Sequence, residues 1–230
     1  MNPEDFKHSY STLSAFDTCP LQFAAKSVYK TIKFKGNAAS QWGSACHEAA
    51  EKRIKTNEPL VGRFEFMEPI VGAVIKSANG ALVEAEKELG ITKDKRPISF
   101  WDGKLRGKLD AFYKVDPARG VIADWKVADP KYQSKYDLET DVFSFLTFCN
   151  DPEVEKIKSV LLWCKAEMPA PPTVKMLTRV DMPRLEDSIF AKMERVEDAI
   201  GNDDFKPKRG GLCQKYCEVP CKFNGSVPLK

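Results

Sequence analysis

The sequence predicts an α/β protein folded as one body. Helices come first, a sheet with an inserted helix follows, and a helix and a cysteine-containing tail end the chain. The composition is typical of a globular protein, since 43% of the 230 residues are hydrophobic and 30% are charged. A chain of this length can bury roughly 70% of the surface that its unfolded form exposes. The hydrophobic spacing changes near residue 98 from a helical period to short alternation, which predicts that strands follow the first helices.

The first predicted helix begins near Ser11, whose side chain could cap it, and the Cys19-Pro20 pair interrupts it. A long amphipathic stretch of helical period runs from Phe66 to Leu89 and is ended by Gly90. Three further helices are predicted, over Ala38 to Lys55, over residues 137–149 and over Arg184 to Ile200.

Four strands are predicted from Ile98 onward. The segments "ISFWDGKLRGKLDAFYKV" and "VIADWKV" have the alternation of strands, and "DPARG" between them predicts a turn that makes them a hairpin. The segments "IKSVLLWCKA" and "TVKMLTRV" are two more strands, joined by a proline-rich "MPAPP" turn.

Several classes of protein are disfavoured by composition. No run approaches the ~18 consecutive apolar residues of a membrane span. The first residues, MNPEDFKHSY, lack the apolar segment of a secretory signal, and seven cysteines are an odd number for a disulfide framework. These features predict a cytoplasmic protein without membrane contact. The net charge of +3 does not by itself indicate nucleic acid as a partner.

The segment "GVIADWKVAD" places a carboxylate and a lysine on one strand with a single residue between them. Residues i and i+2 of a strand project from the same face, so Asp124 and Lys126 are expected side by side, with Trp125 turned away. One interpretation is a surface ion pair, which contributes on the order of 0–1 kcal/mol. The other is a metal ligand beside a cationic group that acts on water or phosphate.

Two further residues favour the second interpretation. Asp110 ends "GKLRGKLD" on the partner strand of the predicted hairpin, so its carboxylate can converge with that of Asp124. Two carboxylates forced together repel unless a proton or a cation lies between them, and oxygen ligands of this kind suit Mg²⁺ or Mn²⁺. His47 lies on a predicted helix among small residues that permit close packing against a sheet.

These residues resemble the PD-(D/E)XK nuclease superfamily, and most closely its RecB-type branch. The resemblance rests on His47 after a glycine, Asp110 in G-x-x-D, and Asp124-x-Lys126 after an apolar run, in the correct order over nearly the whole chain. The opening "YSTLSAFDTCPLQF" is similar to the S-x-L-x-x-F-x-x-C-P-x-x-F entry of iron–sulfur members of that branch. Those members include CRISPR-associated RecB-like exonucleases and AddB-type helicase–nucleases.

The resemblance implies a restriction-endonuclease-like core, a central mixed sheet flanked by helices. It also implies an iron–sulfur staple that joins the N-terminal helix to the C-terminal tail. His47, Asp110 and Asp124 would ligate Mg²⁺ or Mn²⁺, with the backbone carbonyl of Trp125 as a further ligand. Lys126 would position or activate the attacking water and stabilise charge on the scissile phosphate.

One element departs from the family pattern. The helix after the lysine usually carries a glutamine and, four residues on, a tyrosine that contacts DNA. The equivalent residues here are Glu139 and Phe143. Gln133 and Tyr136 are an alternative with a different spacing.

The cysteines of the tail have the spacing C-x3-C-x3-C, at Cys213, Cys217 and Cys221. Steps of four residues drift by ~40° on a helix of 3.6 residues per turn, and Pro220 would break its last turn, so a loop around a metal is predicted. Three thiolates need a fourth ligand, and the resemblance supplies Cys19 and a 4Fe–4S cluster. Zinc remains an alternative on ligand chemistry alone. The other cysteines are predicted to be small buried hydrophobes: Cys46, Cys149 and Cys164.

The predicted function is that of a metal-dependent DNA exonuclease in recombination, repair or phage DNA processing, in a bacterial, archaeal or phage-infected cell. The predicted substrate is DNA that is single-stranded or has single-stranded ends, and an oligomer or recombination or replication proteins are further expected partners. Residues 1–230 are predicted to form a single nuclease domain, in which 1–37 and 202–230 bind the cluster. A CRISPR-adaptation nuclease that trims DNA and a non-catalytic iron–sulfur or zinc DNA-binding module are the alternatives.

Overall fold

The computed structural model describes residues 1–33, 36–165, 170–211 and 213–224. The chain divides into two compact units. The first contains Met1–Lys35 together with Asp187–Lys230, and the second contains Gly36–Glu186. In the described residues, no helix combines the length and the apolar character needed to cross a membrane.

Seven α-helices are assigned in the described residues, and two of them have only four residues. They are α1 (Tyr10–Thr18), α2 (Pro20–Phe23), α3 (Ala38–Thr56), α4 (Glu68–Ser77), α5 (Asp137–Asn150), α6 (Met182–Gly201) and α7 (Cys213–Tyr216).

Six strands form one mixed sheet in the second unit. They are β1 (Glu84–Ile91), β2 (Pro97–Ile98), β3 (Leu105–Asp116), β4 (Arg119–Lys126), β5 (Lys156–Trp163) and β6 (Thr173–Thr178). Their order across the sheet is β2-β1-β3-β4-β5-β6. Neighbouring strands are antiparallel except β4 and β5, which are parallel and are connected through α5.

In the first unit, α1 begins with a reciprocal cap. The Ser9 hydroxyl accepts a hydrogen bond from the Thr12 backbone N–H, and Thr12 Oγ1 accepts one from the Ser9 N–H. The predicted cap at Ser11 is therefore wrong by two residues. Phe16 packs edge-to-face against Phe23, which lies beyond the break at the cysteine–proline pair.

In the second unit, helices cover both faces of the sheet. One face packs against α3 and α4 in a cluster of buried residues that includes Cys46, Met67, Tyr113, Ala123 and Trp125. The other face packs against α5, whose apolar residues are almost all buried. This mixed sheet between helices is consistent with the restriction-endonuclease-like core that the resemblance implied.

The side-chain alternation of β3 changes at Asp110. A Cβ atom at Gly107 would lie 2.8 Å from Leu146 Cδ1, so this position faces α5. Ala111, four residues later, instead packs with α3 and α4 on the opposite face. Asp110 and Glu86, which lies opposite it on β1, fall next to Ala111 between the paired residues of the two strands. The φ of Glu86, 53°, lies in the left-handed region. The strand pair is therefore irregular where Asp110 stands, and Asp110 is accessible from the α3 side.

The strand pair of β5 and β6 and the helices α3, α5 and α6 confirm the sequence predictions to within a few residues. The hairpin of β3 and β4 is also confirmed, but its first strand begins at Leu105, and residues 99–104 of the predicted strand form a loop. The prediction of one helical stretch from Phe66 to Leu89 is wrong, because α4 ends at Ser77 and β1 begins at Glu84. Asn79 and Gly80 both have positive φ and end the helix. Part of the "MPAPP" turn lies outside the described residues.

Candidate active site

The four residues predicted to act together lie close to one another at one point of the sheet. His47 on α3 contacts Asp110 on β3, with 3.1 Å between His47 Nδ1 and Asp110 Oδ1. The Trp125 backbone N–H donates to Asp110 Oδ2 at 2.9 Å, which ties β3 to β4. On β4, Asp124 Oδ2 lies 2.6 Å from Lys126 Nζ, and the Trp125 ring is buried on the opposite face. The expected alternation of these three residues is confirmed.

Asp110 and Asp124 are neighbouring carboxyl groups that shift each other's pKa. Burial raises the pKa of Asp124 well above its ordinary value, and the neighbouring charge of Asp110 raises it further. Burial also disfavours the charged form of Asp110, but the hydrogen bond and charge of His47 outweigh it and lower the pKa of Asp110. Two buried carboxyl groups this close repel each other when both are charged, and a cation between them would relieve that repulsion.

His47 is polarised by this pair. Burial alone would lower the pKa of His47, but the hydrogen bond from its ring to Asp110 and the charge of that carboxylate raise the pKa overall. Its side chain is still 31% exposed, so a ligand can approach it from solvent.

Lys126 is enclosed by two acids and one aromatic ring. Its Nζ lies 2.6 Å from Asp124 Oδ2, 2.6 Å from Glu139 Oε2 on α5, and 4.5 Å from the centre of the Tyr136 ring. Burial would lower the pKa of Lys126, but the charges of Asp124 and Glu139 outweigh burial and raise the pKa above its ordinary value. These surroundings therefore favour the charged form of Lys126.

Two acidic residues of the site were not predicted from the sequence to take part in it. Glu139 had been noted only as the replacement for a glutamine, and its ion pair with Lys126 depends on how α5 packs on the sheet. Glu86 lies with His47 and Asp110 in a group whose potential ligand atoms all fall within 4.8 Å of one another. Because β1 was interpreted as helical, no sequence signal placed Glu86 opposite Asp110.

An open cavity of about 720 Å³ lies beside this group. Its wall consists of the N-terminal half of α3, including Ser40, Gly43 and Ser44, together with Glu86 and Lys108 of the sheet. A Cβ atom at Gly43 would meet nothing within 4 Å, so this side of the cavity is open. Two of the predicted metal ligands, His47 and Asp110, thus border a space that a substrate can enter, whereas Asp124 is buried.

The donor set fits a divalent cation with a preference for oxygen ligands. Two carboxyl groups in mutual contact supply oxygen atoms, and a partly exposed imidazole supplies a nitrogen. Mg²⁺ and Mn²⁺ are bound by one or two carboxylates plus water and substrate phosphate, and Mn²⁺ also accepts imidazole. A divalent charge would also relieve the repulsion between these two carboxylates.

The four cysteines predicted to bind a cluster lie in the first unit. Cys19 Sγ accepts a hydrogen bond from the Lys208 N–H at 3.5 Å, and Cys217 Sγ accepts one from Gln22 Nε2 at 3.6 Å. The predicted loop is wrong at its start, because Cys213 opens the one-turn helix α7.

In the described residues these thiols do not form a metal-binding group, and only His47, Glu86 and Asp110 bring three potential ligand atoms within 4.8 Å of one another. A tetrahedral zinc site with Zn–S bonds of about 2.3 Å needs sulfur atoms about 3.8 Å apart. The structure therefore supports neither a preformed zinc site nor the predicted 4Fe–4S cluster at Cys19, Cys213, Cys217 and Cys221. Cys46 and Cys164 are buried, as predicted, and Cys149 is partly buried.

Comparison with solved structures finds the same fold in a protein of low identity. The crystal structure of a protein from Eubacterium rectale, described provisionally as an exonuclease, is 13% identical to this chain. The match covers 95% of this chain and 91% of that one, with a TM-score of 0.56. The protein SSO0001 is also 13% identical, over 91% of this chain and 82% of that one, but its TM-score of 0.48 is too low to support an argument. No curated protein matches the sequence significantly.

The sequence pattern of one family covers almost the entire chain, from residue 7 to residue 221. This range includes the sheet, its flanking helices and the four residues of the site, His47, Asp110, Asp124 and Lys126. The chain belongs to the PD-(D/E)XK nuclease superfamily.

Proposed function

We propose that the protein is a divalent-metal-dependent deoxyribonuclease that removes nucleotides from DNA ends during recombination, repair or phage DNA processing. The observation that carries the proposal is the convergence of His47, Asp110, Asp124 and Lys126, of which His47 and Asp110 line one open cavity and Asp124 and Lys126 lie buried behind them. A structural ion pair would need only Asp124 and Lys126, whereas a hydrolytic site also needs the carboxyl pair and the imidazole.

The residues divide the chemistry between them. A divalent ion bound at His47, Asp110 and Asp124 would polarise the scissile phosphate and lower the pKa of the attacking water. Lys126 would position or activate the attacking water, and its ammonium charge would stabilise the negative charge that develops at the scissile phosphate. Glu139 and Tyr136 keep the Lys126 ammonium group in place.

The proposal is tested with end-labelled linear DNA, single- and double-stranded, and with covalently closed circular DNA. Purified protein should release nucleotides from linear DNA in Mg²⁺ or Mn²⁺ and leave circles intact, and EDTA should stop the reaction. The matched control is Asp124→Asn, which keeps the side-chain volume but removes the charge. Absence of cleavage in either metal, or full cleavage by Asp124→Asn, would reject the proposal. Cleavage of circles would reject the restriction to ends while keeping the nuclease.

We also propose the cysteine staple, in which the four thiols come together only when the iron–sulfur cluster is assembled. It is supported by the sequence pattern and by contacts within the first unit, where the tail and the first helices meet at cysteine sulfurs. N–H groups directed at sulfur are common around iron–sulfur clusters and tune their potentials.

The cluster is tested by metal analysis of protein purified without oxygen. A 4Fe–4S protein should be brown and contain about four iron and four sulfide per chain. Cys19→Ser should lose the colour, whereas the matched control Cys149→Ser should keep it. Colourless protein, or a cluster that survives Cys19→Ser, would reject the staple without affecting the nuclease site.

A further inference from the structure

The loop between β2 and β3 displays two aromatic side chains beside an arginine. Trp101 is 66% exposed, and its ring meets that of Phe100 edge-to-face at 5.1 Å. The Arg106 guanidinium carbon lies 4.8 Å from the centre of the Phe100 ring and 5.8 Å from the centre of the Trp101 ring. An indole contributes much binding energy when buried, so its exposure marks a surface used for binding.

The loop is held in one conformation. The backbone N–H groups of Asp102 and Gly103 both donate to the Ser99 carbonyl, at 3.1 and 3.0 Å, and the Ser99 hydroxyl donates to Asp102 Oδ2 at 2.6 Å. A Cβ atom at Gly103 would lie 3.0 Å from the Gly90 Cα, so the loop also packs closely on β1. The aromatic rings are thus presented by a rigid support, which reduces the entropy lost on binding.

The loop leads along β3 to the candidate active site. Arg106 is four residues before Asp110, a distance of about 13 Å along a strand. Lys108, between them, lines the cavity beside Asp110. At 3.4 Å per stacked nucleotide, this separation corresponds to about four nucleotides.

Residues 99–108 form a track from the aromatic loop to the cavity, and the charge of this track suits a phosphate backbone. Residues 99–108 contain three basic side chains and a single acidic one, Asp102. Lys108 is balanced by Glu86 at 3.2 Å and Glu88 at 3.8 Å, so the positive charge is greatest at the aromatic end of the track. The arrangement joins a cation and flat apolar rings, the two features that bind single strands without sequence preference.

We propose that Phe100, Trp101 and Arg106 form a stacking platform that binds a single-stranded DNA segment about four nucleotides from the scissile phosphate. The proposal rests on the proposed nuclease function and specifies its substrate as a single-stranded end. An exposed indole can stack only on a base whose face is free, and bases inside a duplex have both faces covered by their neighbours. The platform therefore favours unpaired DNA over blunt duplex.

Binding is measured by fluorescence anisotropy in EDTA, with labelled oligothymidine and with blunt duplex of equal length. Trp101→Ala should weaken binding of the single strand by about 5- to 150-fold, the range of one lost base stack. Trp101→Phe should keep most of the affinity. The matched control is Val180→Ala, because Val180 is 89% exposed and distant in sequence from the loop.

A second measurement maps the contact itself. An oligonucleotide with a single 5-bromouracil is crosslinked by ultraviolet light, and the modified peptide should contain residues 99–106. Equal single-strand affinity of Trp101→Ala and the unchanged protein, or an equal loss on duplex, would overturn the platform. Failure of the platform in an active nuclease leaves the proposed function intact. Single-strand binding that depends on Trp101, in a protein that does not cleave DNA, would reject only the catalytic proposal.

Discussion

Replacement of Lys126 by methionine should destabilise the metal-free protein strongly. The lysine lies 2.6 Å from each of Asp124 and Glu139, and its side chain is only 10% exposed. At an effective dielectric constant of 20, one pair at this distance gains about 6 kcal/mol of Coulomb energy, of which most offsets the desolvation of the ions. Loss of one partner of a buried pair costs about 3–5 kcal/mol, because the remaining charge is left uncompensated.

The loss should depend on pH with a defined sign. Burial already raises the pKa of Asp124 and Glu139, and removal of the lysine raises the pKa of both further. A group whose pKa is higher in the folded state stabilises the fold below its unfolded pKa and loses that contribution as pH rises. The melting temperature of Lys126→Met should therefore fall between pH 5 and pH 8 relative to the unchanged protein.

The assay is thermal unfolding in EDTA, followed by circular dichroism. A loss of about 3–5 kcal/mol lowers the melting temperature by roughly 6–20 °C in a protein of this size. The double variant Lys126→Met with Glu139→Gln should recover more than half of the loss at pH 8, because one of the two uncompensated acids is gone. A melting temperature within 2 °C of the unchanged protein at pH 8, or no recovery in the double variant, would refute the buried ion triad.

Three further predictions follow from single residues. His47→Ala should raise the Mn²⁺ concentration needed for cleavage while the melting temperature changes little, because the side chain is 31% exposed; unchanged metal dependence in cleavage assays would contradict its role as ligand. Gly107→Ala should destabilise the fold by about 1–3 kcal/mol, since its Cβ would lie 2.8 Å from a leucine methyl of α5, whereas Gly43→Ala should not destabilise it. Burial raises the pKa of Cys149 to about 11 and that of Cys164 to about 12, so mass spectrometry should find both unalkylated after iodoacetamide treatment of the native protein at pH 8.

The hairpin that carries Asp110, Asp124 and Lys126 could be predicted because its signals are local. A period of two fixes which residues share a face, and the "DPARG" turn fixes which strands pair. These two rules are enough to bring Asp110 next to the Asp124 strand, and the hydrogen bond from the Trp125 N–H confirms that contact.

The strand β1 could not be predicted because its composition favours a helix. Glu84 to Leu89 contains glutamate, alanine, lysine and leucine, all strong helix formers, and only pairing with β3 makes the segment extended. Because β1 was not predicted as a strand, Glu86 was not included in the predicted site. Tertiary pairing overrides local propensity here, and a single sequence does not contain that information.

The partner of Lys126 depended on packing between distant elements. Glu139 and Lys126 are 13 residues apart, and their contact requires α5 to lie on the face of the sheet opposite α3 and α4. The same packing explains why Lys126 is buried rather than part of an exposed ion pair, which was the other interpretation of the "GVIADWKVAD" segment. The burial of the pair therefore emerged only from the complete fold.

The most direct test of the account is binding of Mn²⁺, measured by electron paramagnetic resonance in a titration of the purified protein. The unchanged protein should bind Mn²⁺ at this site. Asp124→Asn should retain the fold but bind Mn²⁺ at least about 10-fold more weakly. The spectrum of bound Mn²⁺ should also change when an oligonucleotide is added, because the phosphate enters the coordination sphere. Equal binding by Asp124→Asn, or no bound Mn²⁺ in the unchanged protein, would contradict the claim that Asp110 and Asp124 form a metal-dependent hydrolytic site.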